Sequence, residues 1–315
     1  MARAEPPAAR SVWTAAPPGQ PQARVRLLGD AIVFACPGMR NTTQRHAATL
    51  LCSTDGQALQ ARCQGHTVQA PALLIAPMAC KTVDALDRPL LLIDLEPGHP
   101  HYRHFQALAA PGVQALHGAP CAALQDLGRA FAAGRLQGQA VDAQVREAVA
   151  ATARQLPQPA PLDPRVRKLM CLLDEDPGAE LERLAPLLGL SAHHASRLFH
   201  QGLGLPLRRY ALSIKIRAAA SFMGSGLALT QIAQAAGFVD SAHFAKVWAQ
   251  NYGAAPSRFF DTASTHIDQT DQPDWLLWYL AQRDRDLPPP APGAQTPWVH
   301  RRRTPRTPRL RTAAP

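Results

Sequence analysis

Between residues 181 and 260 the chain repeats itself, and no other feature limits its fold so sharply. "LERLAPLLGLSAHHASRLF" and "LTQIAQAAGFVDSAHFAKVW" share one skeleton. Leu184, Ala185 and Gly189 match Ile232, Ala233 and Gly237 at an offset of 48 residues. After the turn the offset becomes 49 and stays there: Ser191 with Asp240, Arg197 with Lys246, Phe199 with Trp248, Gly204 with Gly253, Arg209 with Arg258 and Tyr210 with Phe259. The second copy has therefore gained one residue in its turn, and everything else keeps register.

Each matched type has a physical role in a helix-turn-helix. Ala185 and Ala233 are small where a second helix crosses closely over the first. Gly189 and Gly237 supply the open backbone angles of a tight interhelical turn, and Leu190 and Phe238 plug the core beneath it. Ser191 and Asp240 can cap the helix that follows. Ala195, Leu198 and Phe199, then Phe244, Val247 and Trp248, form the inward stripe. The outward face is left with His193, Ser196 and Arg197 in one copy, and with Ser241, Ala242, Ala245 and Lys246 in the other. These seven residues are the expected base contacts. Arg197 is the strongest reader, since a guanidinium can bond guanine O6 and N7 together. The small residues of the second helix offer methyl contacts and close approach, so the first unit is expected to carry most of the base specificity.

Between the copies, "PLRRYALSIKIRAAASFMG" reads as one helix with Leu207, Tyr210 and Ile214 on an apolar face, spanning about 26 Å. That would hold two recognition helices roughly one DNA turn (~34 Å) apart, so that a monomer reads two successive major grooves. His194, Arg208, Arg209, Lys215, Arg217 and Arg258 are the expected phosphate contacts. Residues 165–260 hold eleven Lys/Arg against six Asp/Glu, as phosphate contact requires.

Residues 165–260 resemble the DNA-binding domain of AraC/XylS-type bacterial transcription regulators. The likeness rests on "LAPLLGLSAHHASRLF" and above all on "IAQAAGFVDSAHFAKVWAQNYGAAPSRFF". Ala249, Ala255 and Phe260 depart from the family pattern, where a basic residue, Ser or Thr, and Arg are usual. Those departures remove phosphate-binding groups and imply weaker anchoring by the second unit. The resemblance further implies contact with RNA polymerase and a cupin-like amino-terminal domain that senses a small-molecule effector or forms a homodimer.

The rest of the chain agrees with a multidomain α+β protein. Residues 24–97 carry short apolar runs ("RVRLLGDAIVFA", "ALLIAP", "LLLIDLEP") broken by Gly, Pro and the hairpin signal Asp55-Gly56. Ala-rich helical stretches follow to residue 156, with 121–156 the expected dimer surface. The expected domains are a disordered arm (1–22), a cupin-like sensor or dimerisation domain with a helical extension (23–156), a linker (157–164), an all-α domain of two helix-turn-helix units joined by a linker helix (165–260), and a largely disordered basic tail (261–315). "DWLLWYLAQ" within that tail reads as one amphipathic helix.

His46, His66, His99, His101 and His104 read as surface histidines, because the only His-x-His pair falls after the last strand. Adjacent His193 and His194 diverge by about 100° on a helix, so no metal site is expected, and no cofactor. The six cysteines are irregularly spaced without a C-x-x-C pair and read as reduced thiols; a redox-sensing pair among the first five remains an alternative. No apolar run approaches the ~20 residues of a membrane span. A formal net charge of +10 favours an anionic partner, with double-stranded DNA first.

The sequence therefore points to a cytoplasmic, sequence-specific transcription regulator, an activator by resemblance, and not an enzyme. The alternatives are a cupin-type metalloenzyme with an attached DNA-binding module, and a nonspecific architectural DNA binder.

Overall fold

The computed structural model describes residues 11–19 and 21–268. The basic arginines of residues 301–311 and the stretch "DWLLWYLAQ" lie outside the described residues.

Two sheets form the amino-terminal domain. Its strands are β1 (Val12–Trp13), β2 (Ala23–Leu28), β3 (Ala31–Cys36), β4 (Met39–Gln44), β5 (Ala48–Ser53), β6 (Leu59–Cys63), β7 (His66–Ala70), β8 (Ala72–Ile75), β9 (Cys80–Ala85) and β10 (Leu90–Leu95). Helix α1 (Tyr102–Gln106), strand β11 (Val113–Ala115) and helices α2 (Ala119–Ala132) and α3 (Gln139–Ala153) follow. One sheet runs β1-β4-β9-β6-β7, and the other runs β11-β8-β5-β10-β3-β2 and ends on β12 (Thr265–Ile267), a strand from the far end of the described chain.

The run AIVFAC of β3 and the run LLLI that opens β10 are apolar on both faces because both faces of their sheet are covered. Side chains alternate across a strand. Ile32, Phe34, Cys36, Leu90 and Leu92 face the space between the sheets. Ala31, Val33, Ala35, Leu91, Ile93 and Leu95 face α2 and α3. Toward one end the intersheet space turns polar, with Thr43, Arg45, Thr49, Lys81 and Asp94 all buried. Asp94 there accepts hydrogen bonds from Arg45 and from Thr49 Oγ1, the latter at 2.6 Å.

The carboxy-terminal helices are α4 (Pro164–Glu175), α5 (Leu181–Leu184) running into a 3-10 turn (Ala185–Leu188), α6 (Ala192–Leu203), α7 (Leu207–Ala220), α8 (Leu229–Ala235), α9 (Ser241–Tyr252) and α10 (Pro256–Phe260). The α5 turn tightens at Pro186, which has no amide to give the preceding turn. Asp163 caps α4 through the amide of Arg165 at 2.8 Å.

Order extends beyond the expected limits at both ends. Val12 and Trp13, placed in a disordered arm by sequence, pair with Arg40 and Met39 of β4. Residues 261–268, placed in a disordered tail, carry β12, which adds parallel to β2 through Thr265–Ala23, His266–Arg24 and Ile267–Val25. Asp268 completes the strap: its amide donates to Val25 O at 2.8 Å, and its carboxylate accepts from Gly138 N at 3.0 Å, at the start of α3. Neither segment shows the long alternation by which a strand is read from sequence. A two- or three-residue strand is decided by the edge it finds.

Candidate nucleic-acid interface

The two repeats fold alike down to single hydrogen bonds. Leu190 N donates to Ala185 O at 3.1 Å, and Phe238 N donates to Ala233 O at 2.9 Å, each closing a helix across its turn glycine. Gly189 and Gly237 hold φ of 67° and 71°, a region that side chains with a Cβ avoid. Ser191 Oγ then accepts from His194 N at 3.3 Å, and Asp240 Oδ1 from His243 N at 2.7 Å, starting α6 and α9. Ala185, Ala233, Phe199, Phe238, Phe244 and Trp248 are buried beneath these turns.

On the outer side of α6, His193, His194, Ser196 and Arg197 are all exposed. On α9, Ala242 and Lys246 are exposed, while Ser241 and Ala245 are half-buried. Helix α6 therefore presents charge and hydrogen-bonding groups, whereas α9 presents small side chains, one ammonium and the imidazole of His243, which packs on Phe238.

The remaining cations divide. Arg208 and Arg209 at the start of α7 are exposed. Lys215 is half-buried, and burial lowers its pKa. Arg217 reaches Asp174 of α4 at 3.5 Å and also faces Glu96 of the sheet domain. The Arg258 guanidinium lies 4.6 Å from the centre of the Trp13 ring. So the structure gives these last three side chains surroundings within the protein. Helix α7 is also shorter than its sequence suggests. It stops at Ala220, giving 14 residues and about 21 Å rather than 26 Å. The chain then turns through Ser221, whose hydroxyl donates to Ala218 O at 2.6 Å.

Residues 184–262 match the family model described as a helix-turn-helix domain. Its DNA-binding domain is of the AraC/XylS type.

Solved structures resemble the chain over both domains. An apo ToxT variant from Vibrio cholerae strain SCE256 is 13% identical, over 73% of this chain and 97% of that one, with a TM-score of 0.51. ToxT from Vibrio cholerae O395 bound to (E)-4-(8-methylnaphthalen-1-yl)but-3-enoic acid is 13% identical, over 76% and 97%, with a TM-score of 0.50. A Chromobacterium violaceum transcriptional regulator described by its AraC-type DNA-binding domain is 22% identical, over 31% of this chain and 89% of its own, with a TM-score of 0.29. No curated protein matches the sequence. The ToxT likenesses concern the fold, a two-sheet domain followed by the AraC/XylS-type domain.

The second unit is seated on the sheet domain. Asn41 Nδ2 donates to Tyr252 O at 3.4 Å, and His46 N to Asn251 Oδ1 at 3.3 Å. A Cβ on Gly253, whose φ is 77°, would lie 2.9 Å from Thr43 Cγ2, so glycine is needed there for angle and for space alike. Trp13 meets Phe34 and Phe259 edge-on at 5.6 and 6.0 Å, and Phe259 in turn meets Trp248 at 5.7 Å.

This seat leaves little open volume in the sheet domain. A cavity of about 20 Å3 lies among Phe34, Met39, Arg45, Asp94, Trp248 and Tyr252, room for about one water. An open cleft of about 710 Å3 runs along β12 beside Arg24, Met223 and His266, outside the intersheet space. The seam and its neighbourhood also hold large pKa shifts. Burial lowers Lys81 to about 7 and raises Glu96 to about 7. His46 falls to about 4 through burial and, secondarily, the charge of Arg209.

The histidine reading needs correction. His46 and His104 are buried, His99 and His101 are half-buried, and only His66 of the five is exposed. Residues 99–104 fold back at the start of α1, bringing the rings of His99, His101 and His104 into a row with centroids 5.7 and 5.4 Å apart. Among the described residues, no three His, Cys, Asp or Glu side chains are placed to hold a metal ion. All six cysteines are free, and burial pushes the Cys36 and Cys52 thiols up to about 12, away from reactive thiolate character. No helix among the described residues is long and apolar enough to cross a membrane.

Proposed function

We propose that this protein is a sequence-specific transcription regulator that inserts α6 and α9 into two successive major grooves and works in the cytoplasm, where its DNA lies. The observation that carries the reading is the duplicated recognition helix: two capped helices behind the same glycine turn, one exposing His193, Ser196 and Arg197 and the other exposing Ala242 and Lys246. Arg197 reads guanine, and His193 and Ser196 assist. Ser241, Ala242 and Ala245 approach base edges, and Lys246 holds a phosphate or a guanine. His194, Arg208 and Arg209 are the phosphate contacts best supported by exposure. Lys215, Arg217 and Arg258 reach phosphate only by leaving their present surroundings.

Activation through contact with RNA polymerase is part of the proposal and rests on the family resemblance. So does an effector. ToxT has been described bound to a small carboxylic acid. In the present chain a comparable molecule would enter the space between the sheets only by displacing the second unit from its seat, because the seam cavity there holds about one water. A homodimer through α2 and α3 completes the reading.

Incubation of the full chain with fragmented genomic DNA near physiological salt, followed by sequencing and footprinting of what stays bound, tests it. A few promoter-proximal sites, each protected over two adjacent major grooves, are expected. Arg197→Ala should then lose about 1–3 kcal/mol of binding and relax the preference at one position. Diffuse recovery without a motif, with binding falling steeply in salt, would instead mark a nonspecific architectural binder.

A further inference from the structure

The one residue by which the second turn exceeds the first is Val239: Phe238 aligns with Leu190, Asp240 aligns with Ser191, and nothing in the first copy matches what lies between. Val239 is also 88% exposed, the most exposed large apolar side chain among the described residues. Its position immediately before the cap of α9 is one from which a hydrophobic side chain commonly folds down onto the first turn of its helix. Here that role is taken. The Phe238 ring packs 5.2 Å from Phe244 and 5.6 Å from His243, and Val239 is left pointing away from the protein.

A β-branched apolar side chain held clear of the core does nothing for the fold, yet it stands at the amino-terminal end of a recognition helix, the end whose residues meet base edges. Ala242, three residues on, is exposed as well, and Ser241 and Ala245 are small and half-buried. Of the exposed residues in the first turn of α9 only His243 is long, and its ring packs back on Phe238, so this end of the helix can sit close to the base edges, within reach of the turn. The apolar group of the major groove is the thymine C5-methyl.

We propose that Val239 is a specificity-determining residue of the second unit, reading a thymine methyl beside the contact made by Ala242. The proposal rests on α9 being a DNA reader, as argued above, and adds the chemistry that it reads. It also assigns the unit a base preference that its small helix residues supply only weakly.

The test is selection of duplexes from a random pool by the full-length protein, for the wild type and for Val239→Ala, followed by binding to the selected site with single thymines replaced by deoxyuridine. Because Val239 is exposed, Val239→Ala should unfold at the same temperature as the wild type. Loss of one methyl contact is worth roughly fourfold in affinity. At one thymine of the second half-site the wild type should lose that factor on replacement. Val239→Ala should already have lost it and show no further change, while Val239→Thr, which keeps one methyl, should fall between them. Identical consensus sequences for wild type and Val239→Ala, with the same deoxyuridine penalty in both, would overturn the assignment and leave α9 as a reader intact. Failure of the wild type to select any consensus would remove the DNA-reading proposal and this one with it.

Discussion

The two helix-turn-helix units share a sequence skeleton and a turn, but their cores go to different places. The first closes around a core of its own, in which Val166, Leu169 and Leu173 of α4 meet Phe199, Leu203 and Tyr210. It meets the sheet domain near its exit, where Arg103 Nε donates to Gly202 O at 3.0 Å and Leu205 is buried against the helical side of the sheet. The second has no separate core: Phe244, Val247, Trp248, Tyr252 and Phe259 join Phe34, Met39 and Leu92 between the sheets. Matched positions explain the split. Leu203 becomes Tyr252 and Phe199 becomes Trp248, so the end of α9 carries larger aromatic area than the first unit's helices can cover, and the open end of the sheet domain covers it. One repeat can thus yield a helix-turn-helix unit with its own core and another fused to the sheet domain.

The sharpest way to break this comparison is to empty the two cores in turn. Trp248→Ala and Phe199→Ala each remove a fully buried ring and should cost about 3–5 kcal/mol. Hydrogen exchange separates them. Trp248→Ala should lower protection in β4 and β10 as well as in α9, whereas Phe199→Ala should leave the strands protected. Equal loss of strand protection in both would show that the first unit is fused too.

A smaller effect is expected from the strap. Asp268→Ala removes the carboxylate that accepts from Gly138 N, a charge-assisted bond whose loss should cost about 1.5–3 kcal/mol. Arg26, which donates to Asp268 O and holds Asp142 at 2.8 and 2.9 Å, keeps its carboxylate partner in that variant. Protection should fall at β2 and at the start of α3, and not in α6. An unchanged exchange pattern at β2 would mean that β12 is held by its backbone alone.

The smallest effect is a change in pH dependence at the seam. Burial raises Glu96 from 4.5 to about 7, so between those values the folded state holds a proton that the unfolded state has released. The stabilisation linked to that proton is complete below pH 4.5 and is lost as pH rises toward 7. Glu96→Gln, always neutral, should therefore match the wild type below pH 4.5, gain on it as pH rises to about 7, and keep a constant lead above that in denaturant unfolding. Lys81, lowered from 10.5 to about 7, works in the opposite sense over pH 7–10.5, so the comparison belongs at or below pH 8. A Glu96→Gln curve parallel to the wild type throughout would show that the carboxyl is not dehydrated in solution.

Much of this organisation was legible in the chain. The repeat identified both helix pairs and their turns, and the apolar runs identified a sheet domain. Less legible were the features that depend on distant partners. His46 gives no sign in sequence of its burial beneath α9, and Arg258 looks like a phosphate contact until Trp13 arrives from the other end of the chain. Val239 was visible as an inserted residue, but its significance needed its exposure.

The sequence by itself determined the helix-turn-helix pair, because caps, turn glycines and three-four periodicity act over a few residues and need no distant partner. Only the tertiary structure decided that the second unit would close the sheet domain and that residues 265–267 would become its last strand. Both outcomes depend on the fit between surfaces more than 200 residues apart in the chain, as in Asn41 with Tyr252 and Arg26 with Asp268. No local pattern encodes that fit, because the energy that selects it appears only when the two surfaces leave water together.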